Sequence, residues 1–250
     1  MIESIDINRI LFLDIECAAA SPTYEELDEP LKKLWQLKAK AISRSAEPLP
    51  EEESAALYEE RGAIYAEFGK IICISVGIVR RETGKPPVLR LKSFCQEDEK
   101  SLLESFCTLL QQYYPDPTNS YLCGHNIKEF DIPYICRRLV VHQLPFPNLL
   151  QLRGKKPWET QYLLDTMEMW KFGDRKSFTS LNLLAAVLGF PSPKEDMDGS
   201  QVGKVYWEEK DLERIAHYCE RDVLATVQLF LRYCRLPLIE EENVIHVDRT

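Results

Sequence analysis

The sequence predicts a mixed α/β domain containing one antiparallel hairpin, and three observations carry that reading. Residues 71–79 are a continuous β-branched and apolar run, a strong strand signal. Residues 88–94 repeat the signal after the turn Thr83-Gly84-Lys85-Pro86-Pro87, so the two runs form a hairpin. Elsewhere short apolar runs alternate with stretches of helical period, the order expected of an α/β fold.

In chain order, the first strand covers 10–16, where Ile10-Leu11-Phe12-Leu13 leads into Asp14-Ile15-Glu16. Residues 22–68 then break the pattern. They are rich in Glu, Lys, Ala and Leu, punctuated by Pro22, Pro30, Pro48 and Pro50. Leu27, Leu31, Leu34, Trp35 and Leu37 predict a helix at 31–42. Pro50-Glu51-Glu52-Glu53 opens a second at 50–67, its acidic first turn suited to the helix dipole. This reads as a helical insertion in a single domain of residues 1–250, either a solvated connection or a lid.

After the hairpin, apolar residues at 102, 103, 106, 109, 110 and 113 predict a helix over 101–114, stopped by Pro115-Asp116-Pro117. A short strand at 121–124 runs through His125-Asn126 to a helix at 131–142. A Pro-rich loop, 143–160, leads to a strand at 162–166. A helix at 178–188 stops at Gly189, a left-handed terminator. Residues 190–206 have little periodicity and read as a long loop, a kind of segment often functional. One long helix spans 208–234, and a short acidic tail follows.

Composition bounds the function. No run approaches the ~18 apolar residues of a membrane span, and residues 1–9 lack the features of a signal peptide. None of the eight cysteines forms a C-x-x-C pair, so a zinc site is not expected, and a reducing, cytoplasmic compartment fits best. The net charge of −9 argues against a broad basic face for nucleic acid, so any strand-binding surface must be local. Arg153, Lys155 and Lys156 form the one compact basic cluster and could guide a strand.

The chemistry gathers on carboxylates. Asp14 and Glu16 alternate to the same face of their strand, about 7 Å apart at Cβ. Two acids at the end of a core strand meet a desolvation cost and repel each other, and a divalent cation between them removes both objections. Asp131 stands at the start of a helix. Asp222 follows Tyr218 by four residues on the last helix, so the two share a face. Oxygen ligands suit Mg²⁺ or Mn²⁺ better than zinc.

Asp14-x-Glu16, then Asn126-x-x-x-Phe130-Asp131, then Tyr218-x-x-x-Asp222, in that order, resembles the DEDD 3′–5′ exonucleases of the tyrosine type (DEDDy). It is most similar to the predicted exonucleases related to the proofreading domain of family B DNA polymerases. The segment Lys194-Glu195-Asp196-Met197-Asp198-Gly199-Ser200-x-Val202 is similar as well, and the resemblance runs over about 8–235.

The resemblance implies a ribonuclease-H-like fold whose sheet gathers the acids at one edge. It implies catalysis by Asp14, Glu16, Asp131, Tyr218 and Asp222, with the four acids holding two Mg²⁺ or Mn²⁺ ions. The activity implied is hydrolysis of terminal phosphodiester bonds in single-stranded nucleic acid with a free 3′ end, DNA favoured over RNA. Tyr218 would hold the attacking water and Glu16 would help orient it. His217 has the H-x-x-x-x-D spacing of the histidine-type group, but the helical period sets it about 100° from Tyr218 and favours the tyrosine.

Other positions carry two readings each. Asn126 braces the metal site or the 3′ end, or forms an Asx turn. Phe130 stacks on the terminal base, or packs in the core. His125 reads as structural. Lys194 and Lys204 touch phosphates, or are solvated loop lysines. Two further alternatives are an RNA exonuclease and a non-catalytic nucleic-acid-binding module on the same fold; the intact acid set argues against the latter. An aspartyl phosphatase would want D-x-D where Asp14-Ile15-Glu16 stands.

Overall fold

The computed structural model describes residues 2–174, 178–192 and 197–247. Its strands are β1 (Ile10–Ala19), β2 (Gly69–Arg80), β3 (Val88–Cys95), β4 (Tyr121–Gly124), β5 (Leu163–Asp165) and β6 (Val244–His246). They form one sheet in the order β5-β4-β1-β2-β3-β6. β1 runs parallel to β4 and β4 to β5, while β2 is antiparallel to both β1 and β3, and β6 lies parallel to β3. β2 alone therefore opposes the other five. The helices are α1 (Glu29–Ile42), α2 (Glu51–Arg61), α3 (Glu99–Tyr113), α4 (Asp131–Val141), α5 (Thr166–Lys171), α6 (Leu181–Leu188), α7 (Val202–Lys204) and α8 (Leu212–Tyr233).

Alternation along β1 builds two cores. Leu11, Leu13 and Ile15 face α3 and α4, meeting Leu102, Leu103 and Phe106 of the first and Ile132, Ile135 and Leu139 of the second. Ile10 and Phe12 face α8 and meet Val223, Val227 and Phe230. The result is helix, sheet, helix in three layers, the mixed α/β arrangement of a ribonuclease-H-like fold. α8 lies close on the sheet because Gly77 stands beneath it. A Cβ there would come within 2.8 Å of Val223 Cγ1.

The insertion is a packed unit and not a solvated connection. Trp35, fully buried, sets its ring edge-on to Tyr58 and Phe68, with centroids 5.2 and 5.0 Å away, and donates from Nε1 to Ser54 O at 2.8 Å. This small core also takes in Ala19 at the end of β1. Tyr134 Oη donates to Ala63 O and Arg138 Nη1 to Ala66 O, tying the insertion's end to α4. Arg138 also pairs with the buried Glu99 of α3 at 2.6 Å, and Glu99 accepts the Ile71 N–H.

The element boundaries move where the backbone is irregular. The second helix of the insertion stops at Arg61 and passes into a 3₁₀ turn, Gly62–Ile64. α6 starts at Leu181, capped by the Ser180 side chain, and ends at Gly189 with φ 68°, the expected left-handed stop. Within the predicted 190–206 loop lies α7, which runs into a π-helical turn, Val205–Glu209. Lys210, at φ 57°, breaks that turn before Asp211 caps α8. Strand β6 forms in the acidic tail. No helix among the described residues is long and apolar enough to cross a membrane.

Candidate active site

The β1 row that faces α8 changes from apolar to acidic as it advances. After Ile10 and Phe12 come Asp14 and Glu16, and the helix above them changes in step, from Val227 and Val223 to Cys219. The Cys219 thiol contacts Asp14 O at 3.4 Å and Asp14 Oδ2 at 3.5 Å. Ligating atoms of Asp14, Glu16 and Cys219 all lie within 4.8 Å of one another. Glu16 is buried and Asp14 half-buried. A β-bulge sits at this point. Glu16 pairs with Cys73 and Cys17 with Ile71, so Ile72 is the extra residue, and both Ile72 and Cys73 turn toward α8. Bulges re-aim side chains and recur beside active sites.

Asp131 reaches the same place from the other side of β1. The pairing of β1 with β4 ends at Phe12 and Cys123. Beyond that point the Ile15 N–H donates to Asp131 Oδ1 at 3.2 Å, which satisfies a buried donor that no strand covers. Asp131 is the first residue of α4, where the helix dipole favours an anion. Burial nevertheless pushes its pKa up to about 7, helped by the charges of Asp165 and Asp222 and opposed by the two backbone N–H groups it accepts from.

Asp222 and Tyr218 complete the group. Tyr218 lies one helical turn before Asp222, on the same face of α8, and its hydroxyl feels the Asp222 charge. Burial and the charges of Asp222, Glu16 and Asp14 push that phenol above its ordinary pKa, so it stays protonated. Burial also raises Asp14 and Glu16 well above the carboxylate range, as do Cys219, Asp222 and Asp131. Asp14 and Glu16 thus feel both Asp131 and Asp222, and Asp131 feels Asp222. The structure brings Asp14, Glu16, Asp131, Asp222 and Tyr218 together, and the main charges raising Asp14, Glu16 and Asp131, among the described residues, come from neighbouring acids and thiols. His217 lies outside the group. It is exposed and faces His246, with ring centroids 6.1 Å apart.

The loop after β4 supplies the next layer. Asn126 is left-handed, φ 66°, and half-buried. It forms no Asx turn, because the Lys128 N–H that such a turn would use donates to Asp165. Phe130 is half-exposed. It packs on the core's edge and sets its ring 5.5 Å from that of Tyr134. His125 is structural, bonded to Thr166 Oγ1 at 2.9 Å and Thr179 O at 3.1 Å. Lys204 is exposed on α7, whereas Lys194 falls outside the described residues.

Of the segment 194–202, the part from Met197 on is described. Met197 and Val202 are buried against the Tyr218 region, and a Cβ on Gly199 would lie 3.9 Å from Tyr218 Oη. The three basic residues are engaged within their own loop. Arg153 lies over Phe146, Lys155 donates to Tyr162 Oη at 3.2 Å, and Lys156 lies over Trp158. That loop enters β5 at its N-terminal end, whereas the acids lie past the end of β1–β4 pairing.

Sequence reasoning missed two residues here. Asp165, at the end of β5, accepts the N–H groups of Asn126, Lys128, Met167 and Glu168. It fixes the loop that leads to Asp131. An aspartate closing a strand before a helical stretch is an N-cap signal and could have marked it. Cys219 had no such signal, since a small thiol on a buried stripe reads as core.

The sequence model of a family described as predicted 3′–5′ exonucleases related to the exonuclease domain of PolB matches residues 64–243. No curated protein sequence matches the chain. Among solved structures, the family B DNA polymerase of the hyperthermophilic archaeon Pyrobaculum calidifontis is similar in fold, with a TM-score of 0.54 at 15% identity. The similarity covers 90% of this chain and 24% of the polymerase, so the chain spans about a quarter of that protein's length.

Proposed function

The chain belongs to the family of predicted 3′–5′ exonucleases related to the exonuclease domain of PolB, and on that premise we propose that it removes nucleotides from the 3′ end of single-stranded DNA. The observation that carries this reading is the convergence of four carboxylates and one phenol from β1, α4 and α8. Buried and half-buried acids, raised by burial and by neighbouring acids and thiols, fit a site built for cations. Their oxygen donors fit Mg²⁺ or Mn²⁺.

Asp14, Glu16, Asp131 and Asp222 would hold two such ions, which when bound activate water and stabilise the departing oxygen. The chain's own residues do the rest. Tyr218, kept protonated, donates its hydroxyl to hold and aim the attacking water, and Glu16 orients that water from the strand side. The Phe130 ring, half-exposed beside Asp131, stacks on the terminal base, and Asn126 braces the 3′ end with its amide. The loop from Met197 to Val202 lies over Tyr218 and limits access to it. Eight free thiols support a reducing, cytoplasmic setting.

Matched DNA and RNA oligonucleotides with free and blocked 3′ ends, digested with Mn²⁺, test this function. Stepwise shortening of free-ended DNA is expected, with blocked strands intact and RNA cut more slowly. Faster cutting of RNA would replace the substrate assignment. Equal cutting of blocked and free ends would overturn the exonuclease reading.

A further inference from the structure

A second cluster lies on the other margin of the buried stripe of α8, away from Tyr218 and Asp222. Glu220 is only 1% exposed. Its Oε1 accepts from Ser93 Oγ at 2.7 Å, and Ser93 meets Ser75 at 2.8 Å across the β2–β3 pair. The carboxylate is thus fixed from below by two strands. Its Oε2 points outward, 2.7 Å from His246 Nδ1 and 3.9 Å from His217 Nδ1. His217 sits one turn before Glu220 on the helix, and His246 is carried in by β6 through its pairing with Leu91. One donor atom from each of the three lies within 4.8 Å of the others.

We propose that His217, Glu220 and His246 form a zinc site that pins β6 to α8. Two imidazoles and one carboxylate are a ligand set that zinc uses with a fourth position left to water. The two histidine side chains are 53% and 52% exposed, so that position opens to solvent. Tetrahedral ligands about 2.0–2.2 Å from zinc stand roughly 3.4 Å apart. The distances of 2.7 and 3.9 Å lie on either side of that value, within reach of small ring rotations. Imidazole nitrogen separates this site chemically from the carboxylate-rich acid cluster, whose four carboxylates favour harder ions. Ser93 acts as the partner that orients a ligating carboxylate. The missing C-x-x-C pairs argue against zinc held by paired cysteines and do not bear on a site built from two histidines and a glutamate. The site does not depend on the exonuclease reading.

The test uses the full chain in saturating Mg²⁺, titrated with ZnCl₂ against a chromophoric chelator while the unfolding temperature is followed. One Zn²⁺ per chain is expected, with a rise in unfolding temperature, since a ligand that binds only the folded state stabilises it. His217→Ala and His246→Ala should each weaken binding by about 100-fold or more, and Ser93→Ala by about 10- to 100-fold. Should His246→Ala fail to fold, the exposed His217→Ala decides the matter alone. Zinc binding that survives His217→Ala, or that is lost in Asp14→Ala while His217→Ala keeps it, would overturn the proposal.

Discussion

The thiol of Cys219 lies 3.4 Å from the main-chain oxygen of Asp14 and 3.5 Å from its carboxylate. This contact fixes how near α8 comes to the acidic end of β1, and with it the distance of Tyr218 and Asp222 from Asp14 and Glu16. A larger side chain at this point must lift the helix. Cys219→Leu should cost about 1–3 kcal/mol of stability by overpacking. It should also lower turnover far more than its stability loss explains, while Cys219→Ser keeps both near normal. Urea unfolding and nuclease assays on the two variants separate these effects.

Tyr218 and His217 are neighbours in sequence and point to different places. Tyr218→Phe removes the hydroxyl proposed to aim the water and should cut turnover by about 100-fold, the scale of losing one positioned hydrogen-bond donor. His217→Ala should stay within about twofold of normal in Mg²⁺. Single-turnover rates on a 3′-labelled strand read this out, and the reverse pattern would move the chain to the histidine-type group.

Gly77 lets α8 approach β2. Gly77→Ala puts a methyl group 2.8 Å from Val223 Cγ1 with Leu89 and Leu91 also near. The substitution should destabilise by about 1–3 kcal/mol. It should also reduce activity, because the helix it displaces carries Tyr218 and Asp222. Chemical denaturation measures the first effect, and an assay well below the unfolding transition measures the second.

Protons and cations compete for the acids. Asp131 is pushed up to about 7, and Asp14 and Glu16 also lie above their ordinary values. A carboxyl with a raised folded pKa keeps a proton that the unfolded chain releases near pH 4. Metal-free stability should therefore fall as pH rises from about 4 to about 7. Cations bind the deprotonated site, so Mg²⁺ should raise the unfolding temperature more at pH 8 than at pH 5. Scans in EDTA and in Mg²⁺ at the two pH values check this, and an equal shift at both would contradict it.

Much of this arrangement was legible in the residues. The apolar run ending in Asp14-Ile15-Glu16 announced both the central strand and its acids, because strand alternation fixes the face of each side chain. The helical period through 215–230 placed Tyr218 beside Asp222 and turned His217 away. What stayed hidden depends on contacts between distant segments. Val244-Ile245-His246 becomes a strand only by pairing with Leu89-Arg90-Leu91. Asp165 matters through N–H groups 37 and 39 residues away in sequence. The bulge at Ile72 leaves no trace in a run of apolar residues that suits a regular strand equally well. The insertion's aromatic core around Trp35 was masked by the charged surface residues that surround it in sequence.

The central claim is that the acids gathered at the end of β1 hold the cations that cleave a 3′ end. Its most direct test is Mn²⁺-dependent release of mononucleotides from a 3′-labelled single strand by the wild type and by Asp14→Ala. Steady release by the wild type and none above background by the variant is the expected result. An Asp14→Ala protein that is folded and still releases mononucleotides at the wild-type rate would contradict the claim.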